Sequence, residues 1–194
     1  MTAPTVAAID LSLTSTGVAV VHSRIRVLTH TVTSKPPKAE TLRTRFDRMN
    51  AISKSILELV EPADVVGIES PAYAAAARSG KLHDRSGLWW HVVSDLLNHG
   101  KQVVEVTPSS RCMYATGKGN AGKDLVLASA VRIYKHVDIE GNDQADAVVI
   151  AAMISRMLGE PIETGKVPEA KLRALKKVRL EDSLDPDALA AIPA

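Results

Sequence analysis

Aromatic residues are almost missing from this chain: two Trp, three Tyr and one Phe, 3% of 194 residues. The core therefore cannot rest on rings and must be built from Val, Leu, Ile and Ala, in line with an ordinary hydrophobic share of 45%. Cysteine is scarcer still. Cys112 stands alone, which excludes an internal disulfide and a thiolate zinc cluster and suits a reducing cytoplasm. No run approaches the roughly 20 apolar residues of a membrane span, and the N-terminus lacks the basic start and long apolar stretch of a secretory signal. No charge sign dominates: 24 Lys and Arg face 22 Asp and Glu, a net of +2. Any affinity for nucleic acid must then come from where the cations lie. There is no internal repeat, and the length fits one domain with an appendage.

What is present is an ordered series of short apolar runs. Residues 5–11 read as a buried strand, Thr16 to His22 as a second, and Ile25 to Thr33 as a third, joined by a short turn at 22–24 into an antiparallel meander. Residues 39–60 carry Leu42, Phe46, Met49, Ile52, Ile56 and Leu59 at helical spacing, and Pro62 closes that helix. Val65 to Glu69 is a fourth strand, Leu88 to Asn98 a helix stopped by His99-Gly100, and Val103 to Thr107 a fifth strand. Pro108 to Tyr114 reads as a short helix, 115–122 as a glycine-rich loop, and Lys123 to Tyr134 as a helix. A long helix follows from Asp143 to Leu158, with Asn142 as its expected N-cap. A meander followed by strands alternating with helices implies an α/β fold, a five-stranded mixed sheet with helices on both faces. We read residues 1–159 as that domain. Residues 160–194 form a tail or peripheral helix, basic at first and then acidic and Ala-rich.

Two of the strands end in a carboxylate, Asp10 and Glu69, and two more carboxylates, Asp143 and Asp146, open the last helix. Each has an ordinary explanation alone: a strand end, a turn cap, a first-turn acid facing the helix dipole. Asp146 is harder to explain that way, because it starts an otherwise apolar face with Val149, Ile150 and Met153. Positions i and i+3 share a helix face, so Asp143 and Asp146 can point at one spot. If strands one and four are neighbours, Asp10 and Glu69 lie side by side. Four such groups would repel without a divalent cation, and all-oxygen ligands favour Mg²⁺ or Mn²⁺ over zinc. A cluster with room for two ions about 4 Å apart suits in-line attack of water on a phosphodiester.

The stretch from Ala8 to Ala19 (AIDLSLTSTGVA) resembles the first-strand motif of the RuvC-type Holliday-junction resolvases. Val66-Gly67-Ile68-Glu69 resembles their second acidic motif, and Asn142-Asp143-Gln144-Ala145-Asp146-Ala147 the start of their C-terminal acidic helix. The resemblance covers about residues 5–158, and the wording of the motifs is closest to phage-type members. It implies a ribonuclease H-like fold, a homodimer, and Mg²⁺-dependent symmetric cutting of four-way DNA junctions by Asp10, Glu69, Asp143 and Asp146. It also implies that Arg111 and Lys123 hold the scissile phosphate or stabilise transition-state charge, and that Tyr73 helps to open the junction. Ser70-Pro71-Ala72 departs from the usual bacterial pattern beside that aromatic.

Arg78, Lys81 and Arg85 follow Glu69, and Lys118 and Lys123 flank the glycine-rich loop. Both groups are expected to rim the acids and contact DNA phosphates. Gly117 to Asp124 nearly spells a P-loop, but Asp124 stands where a Ser or Thr should hold Mg²⁺, and no strand leads directly into it. Of Trp89 and Trp90, adjacent on a helix, one should pack and the other face an interface. The tail's cations fit a DNA contact and a solvated helix equally well. The function that follows is a metal-dependent endonuclease for branched DNA; the acids alone fit equally a ribonuclease H-like nuclease acting on RNA–DNA hybrids or flaps.

Overall fold

The computed structural model describes residues 4–71 and 81–180. Strand β1 (Val6–Asp10) pairs antiparallel with β2 (Ser15–Ser23), which pairs antiparallel with β3 (Arg26–Thr33). On its other side β1 runs parallel to β4 (Val65–Glu69), and β4 runs parallel to β5 (Gln102–Val106), giving the order β3-β2-β1-β4-β5. The two acid-tipped strands are therefore neighbours at the centre of the sheet, and the ribonuclease H-like α/β architecture expected from the sequence is present.

Alternation along each strand feeds two cores. Ala7, Ile9, Val18, Val20, Val66 and Ile68 face helices α1 (Leu42–Val60) and α2 (Leu82–Asn98). Val6, Ala8, Ala19, Val65 and Val104 face α3 (Pro108–Thr116), α4 (Lys123–Ile133) and α5 (Asn142–Met157). Helix α5 is buried without a break from Gln144 to Ser155, as expected of a helix apolar on nearly every side. It lies across β1 and β2, and Gly67 makes room for it on β4: a Cβ there would meet Ile150 at 2.7 Å.

Several sequence expectations shift. Leu42 and Phe46 sit on the expected apolar stripe of α1 yet are 83% and 53% exposed; the buried residues of that helix begin only at Ile52. Helix α2 begins at Leu82 rather than Leu88, its first turn tied to α1 by an ion pair between Arg45 and Asp84. Ile25 lies in the turn before β3 and is exposed. The N-cap of α5 is Gly141, in extended conformation, not Asn142.

Residues 160–180 lie against the second core. Ile162, Ala174 and Val178 are buried, and Lys171 Nζ donates to the Ala115 carbonyl at 2.6 Å. Glu163 is the anchor: it accepts from both Tyr114 and Tyr134 and pairs with Arg156 at 3.0 Å. A short helix, α6 (Glu169–Leu172), and a 3₁₀ turn at Leu175–Lys177 complete this segment.

Candidate active site

Period-two alternation fixes where the strand acids point. Val6 and Ala8 face α5, so Asp10 does too. Val65 and Gly67 face it, so Glu69 does as well. The first turn of α5 then has to reach that end of the sheet, and Gly17, opposite Asp10 on β2, lets it in. A Cβ on Gly17 would stand 2.0 Å from the Asp143 carbonyl oxygen and 2.8 Å from the Gln144 nitrogen, so only glycine allows this approach. The four acids come together from three segments far apart in sequence.

Asp10, Glu69 and Asp143 line a cleft of about 300 Å³, together with Arg85, Arg111 and Lys123. Asp146 lies beneath it, 2% exposed. Ser15 Oγ donates to Asp143 Oδ2 at 2.6 Å and aims that carboxylate. The Trp89 indole donates to the Glu69 carbonyl at 2.9 Å and fixes the end of β4. Lys123 Nζ is 4.0 Å from Asp143 Oδ1, at the exposed rim.

Arg111 is the unexpected member. Instead of facing outward, its guanidinium is buried and bridges the acids, Nε to Glu69 and Nη1 to Asp146. Burial opposes its charge, but Glu69 and Asp146 outweigh burial and hold it firmly protonated. The carboxyls respond to the same crowding. Burial, then the charges of Glu69 and Asp146, push Asp10 well above the carboxylate range, against the pull of Arg111. Burial also lifts Asp146 to about 6, with Arg111 pulling down and Glu69 pushing up.

The donor set is all oxygen and carries more negative charge than Arg111 and Lys123 cancel, which fits a hard divalent cation. In the arrangement seen, no three Asp, Glu, His or Cys side chains among the described residues are placed to enclose an ion. Arg111 holds the space between Glu69 and Asp146. The chemistry of the residues fits the metal; their resting geometry serves the arginine.

Of the other residues expected at the rim, Arg85 lines the cleft. Lys81 is paired with Glu40 at 3.1 Å and lies 3.9 Å from Asp84. Lys118 is exposed on the loop after α3 and does not line the cleft. Tyr73 and Arg78 lie outside the described residues. The roles of Gly17, Ser15 and Trp89 were not read from sequence. A glycine inside a strand is the one signal that pointed to the first; nothing local marks the other two.

No protein-family model and no curated protein sequence matches this chain. Solved structures do. The structure of Thermus thermophilus RuvC superposes with a TM-score of 0.57 at 21% identity, covering 80% of this chain and 97% of that one. T. thermophilus RuvC in complex with Holliday junction substrate gives 0.58 at 22% identity, covering 79% and 96%. What this likeness establishes is the fold: the chain has the ribonuclease H-like architecture of RuvC.

Proposed function

We propose that this protein is a divalent-metal-dependent endonuclease that resolves four-way junctions and other branched DNA by paired, symmetric nicks. The observation that carries the reading is the meeting of four acids at the carboxyl end of the central strands, Asp10, Glu69 and Asp143 in a cleft lined also by Arg85 and Lys123, and Asp146 beneath it. A RuvC relative in fold has been seen with a Holliday junction, which makes that substrate the first to test.

Asp10, Glu69, Asp143 and Asp146 would hold Mg²⁺, or Mn²⁺ in its place, at two positions. The chemistry supplied there is activation of a water and neutralisation of charge on the leaving oxygen. The chain's own residues do the rest. Ser15 and Trp89 keep Asp143 and the end of β4 in place. Lys123, exposed beside Asp143, orients the scissile phosphate, and Arg85 holds the strand at the mouth. Hydrolysis leaves a 5′-phosphate and a 3′-hydroxyl.

Two cuts related by a two-fold axis call for two copies. Leu42 and Phe46 on α1 and Trp90 and Leu97 on α2 are large apolar side chains left exposed on the packed helix pair, and they form the surface we assign to the homodimer. Trp89 packs, as expected of one of the pair, and Trp90 is 65% exposed.

The test is incubation with a synthetic four-way junction, a flap and an RNA–DNA hybrid, with Mg²⁺ or EDTA. Symmetric Mg²⁺-dependent nicking of the junction supports the reading. Preferential cutting of the hybrid would replace it with a ribonuclease H-type activity.

A further inference from the structure

Outside the cleft, one groove on the sheet edge carries two cations and opens next to the acid site. It runs along the edge strand β5 and is lined by Val103, Glu105 and Thr107 on the strand and by Lys177 and Arg179 on the C-terminal segment, enclosing about 340 Å³. We propose that this groove is a second nucleic-acid contact, which holds the phosphate backbone of the DNA arm leaving the cleft. The proposal rests on the nucleic-acid reading above, but not on whether the chain cuts DNA.

Three observations support it. First, the two cations are aimed. Val178 has extended backbone (φ −101°, ψ 129°) and its side chain is buried, while Lys177 and Arg179 on either side of it are exposed and line one groove. The segment is also pinned by Ala174, Ile162 and the Lys171 bond to α3, so this is a fixed surface. Second, the charge is unspent. Lys176, Lys177 and Arg179 are exposed, and none forms an ion pair or side-chain hydrogen bond with a described residue. Arg24, Arg43, Arg45, Lys81, Arg111 and Arg156 are all committed to carboxylates. Third, the groove leads to the site. It ends at Thr107, which caps α3, and the next residue, Pro108, is a wall of the acid cleft.

From Val103 to Thr107 the strand advances roughly 13 Å at about 3.3 Å per residue. A groove of that length holds a short stretch of one backbone, to which Lys177 and Arg179 supply two phosphate contacts. Glu105 on the strand side repels phosphate and keeps the backbone against Lys177 and Arg179.

The experiment uses full-length protein in EDTA, a labelled four-way junction, and fluorescence anisotropy across a salt series. Each lost phosphate contact lowers the slope of log affinity against log salt by about 0.9, so the double variant Lys177→Ala/Arg179→Ala should lower it by about 1.8, which is roughly 60-fold weaker binding near 0.1 M salt. Lys54→Ala, an exposed cation on the opposite helical layer, should leave slope and affinity unchanged, and Lys177→Arg should keep wild-type binding. A double variant with the wild-type slope overturns the proposal, as does wild-type protein that shows no salt-dependent DNA binding. Wild-type protein that binds the junction but does not nick it in Mg²⁺ would overturn the nuclease reading alone, and the slope difference would still decide the groove.

Discussion

Replacing Arg111 with Gln removes the cation that, among the described residues, is buried between the acids. Arg111, Glu69 and Asp146 have side chains 7%, 14% and 3% exposed, so solvent screens little of what is lost. Breaking a buried ion pair by deleting one partner costs about 3–5 kcal/mol, because the other charges stay buried and uncompensated. In a chain of this size that corresponds to a fall in melting temperature of roughly 6–20 °C. The pH dependence has a definite sign. Asp10 and Asp146 are raised above their unfolded values, so the folded state binds more protons and loses stability as pH rises through the raised range, about 6 for Asp146. Arg111 pulls both downward, so removing it lifts them further and adds to the penalty at high pH. Urea denaturation in EDTA followed by circular dichroism should show the full loss near pH 8 and a much smaller one at about pH 5, where Asp10 and Asp146 are neutralised by protons instead. Excess Mg²⁺ should return part of the stability near pH 8, since a bound cation takes over the arginine's charge. A loss under about 1 kcal/mol near pH 8, or one equal at both pH values, would refute the claim that Arg111 is the resting counter-ion of the site.

Asp10→Asn should abolish nicking while raising the melting temperature, because a crowded, desolvated charge is removed; junction binding in EDTA should persist. Gly17→Ala places a methyl on the backbone of Asp143 and should destabilise the fold by about 1–3 kcal/mol and abolish nicking, read by thermal melting and the junction assay. Glu163→Gln leaves Arg156 without its partner beneath two tyrosines; a loss of about 2–4 kcal/mol is expected, with faster hydrogen exchange across residues 160–180.

Most of the architecture was legible because period-two and period-3.6 patterns are local. The strands are short apolar runs with clear ends, and the meander of the first three was plain from its short turn; that β1 and β4 are neighbours came from the structure. The acids were legible because a carboxylate at the end of a buried run is costly and has to be explained. What the sequence hid was tertiary. Leu42 and Phe46 carry the helical spacing of core residues, yet the buried face of α1 starts at Ile52, and no pattern announces where a packed surface stops. Arg111 read as a DNA contact because type and position suit a phosphate; that it turns inward depends on how close Glu69 and Asp146 come, which no spacing encodes. Asn142 had the chemistry of a cap, but the chain bends at Gly141 one residue earlier. The anchor at Glu163 ties the C-terminal segment to Tyr114, Tyr134 and Arg156, which come from three other segments, so a linear reading left it open between a tail and a peripheral helix.

The helix that presents Asp143 and Asp146 is also the most deeply embedded element of the molecule, surrounded by packing for twelve consecutive residues. Reactive groups are more often placed on mobile loops, where they can be retuned without disturbing the scaffold. Here half of the acidic cluster is fastened to the spine of the protein. A substitution at the start of that helix is therefore felt through the whole second core, while Arg85 and Lys123 at the mouth of the cleft can change with little effect on packing.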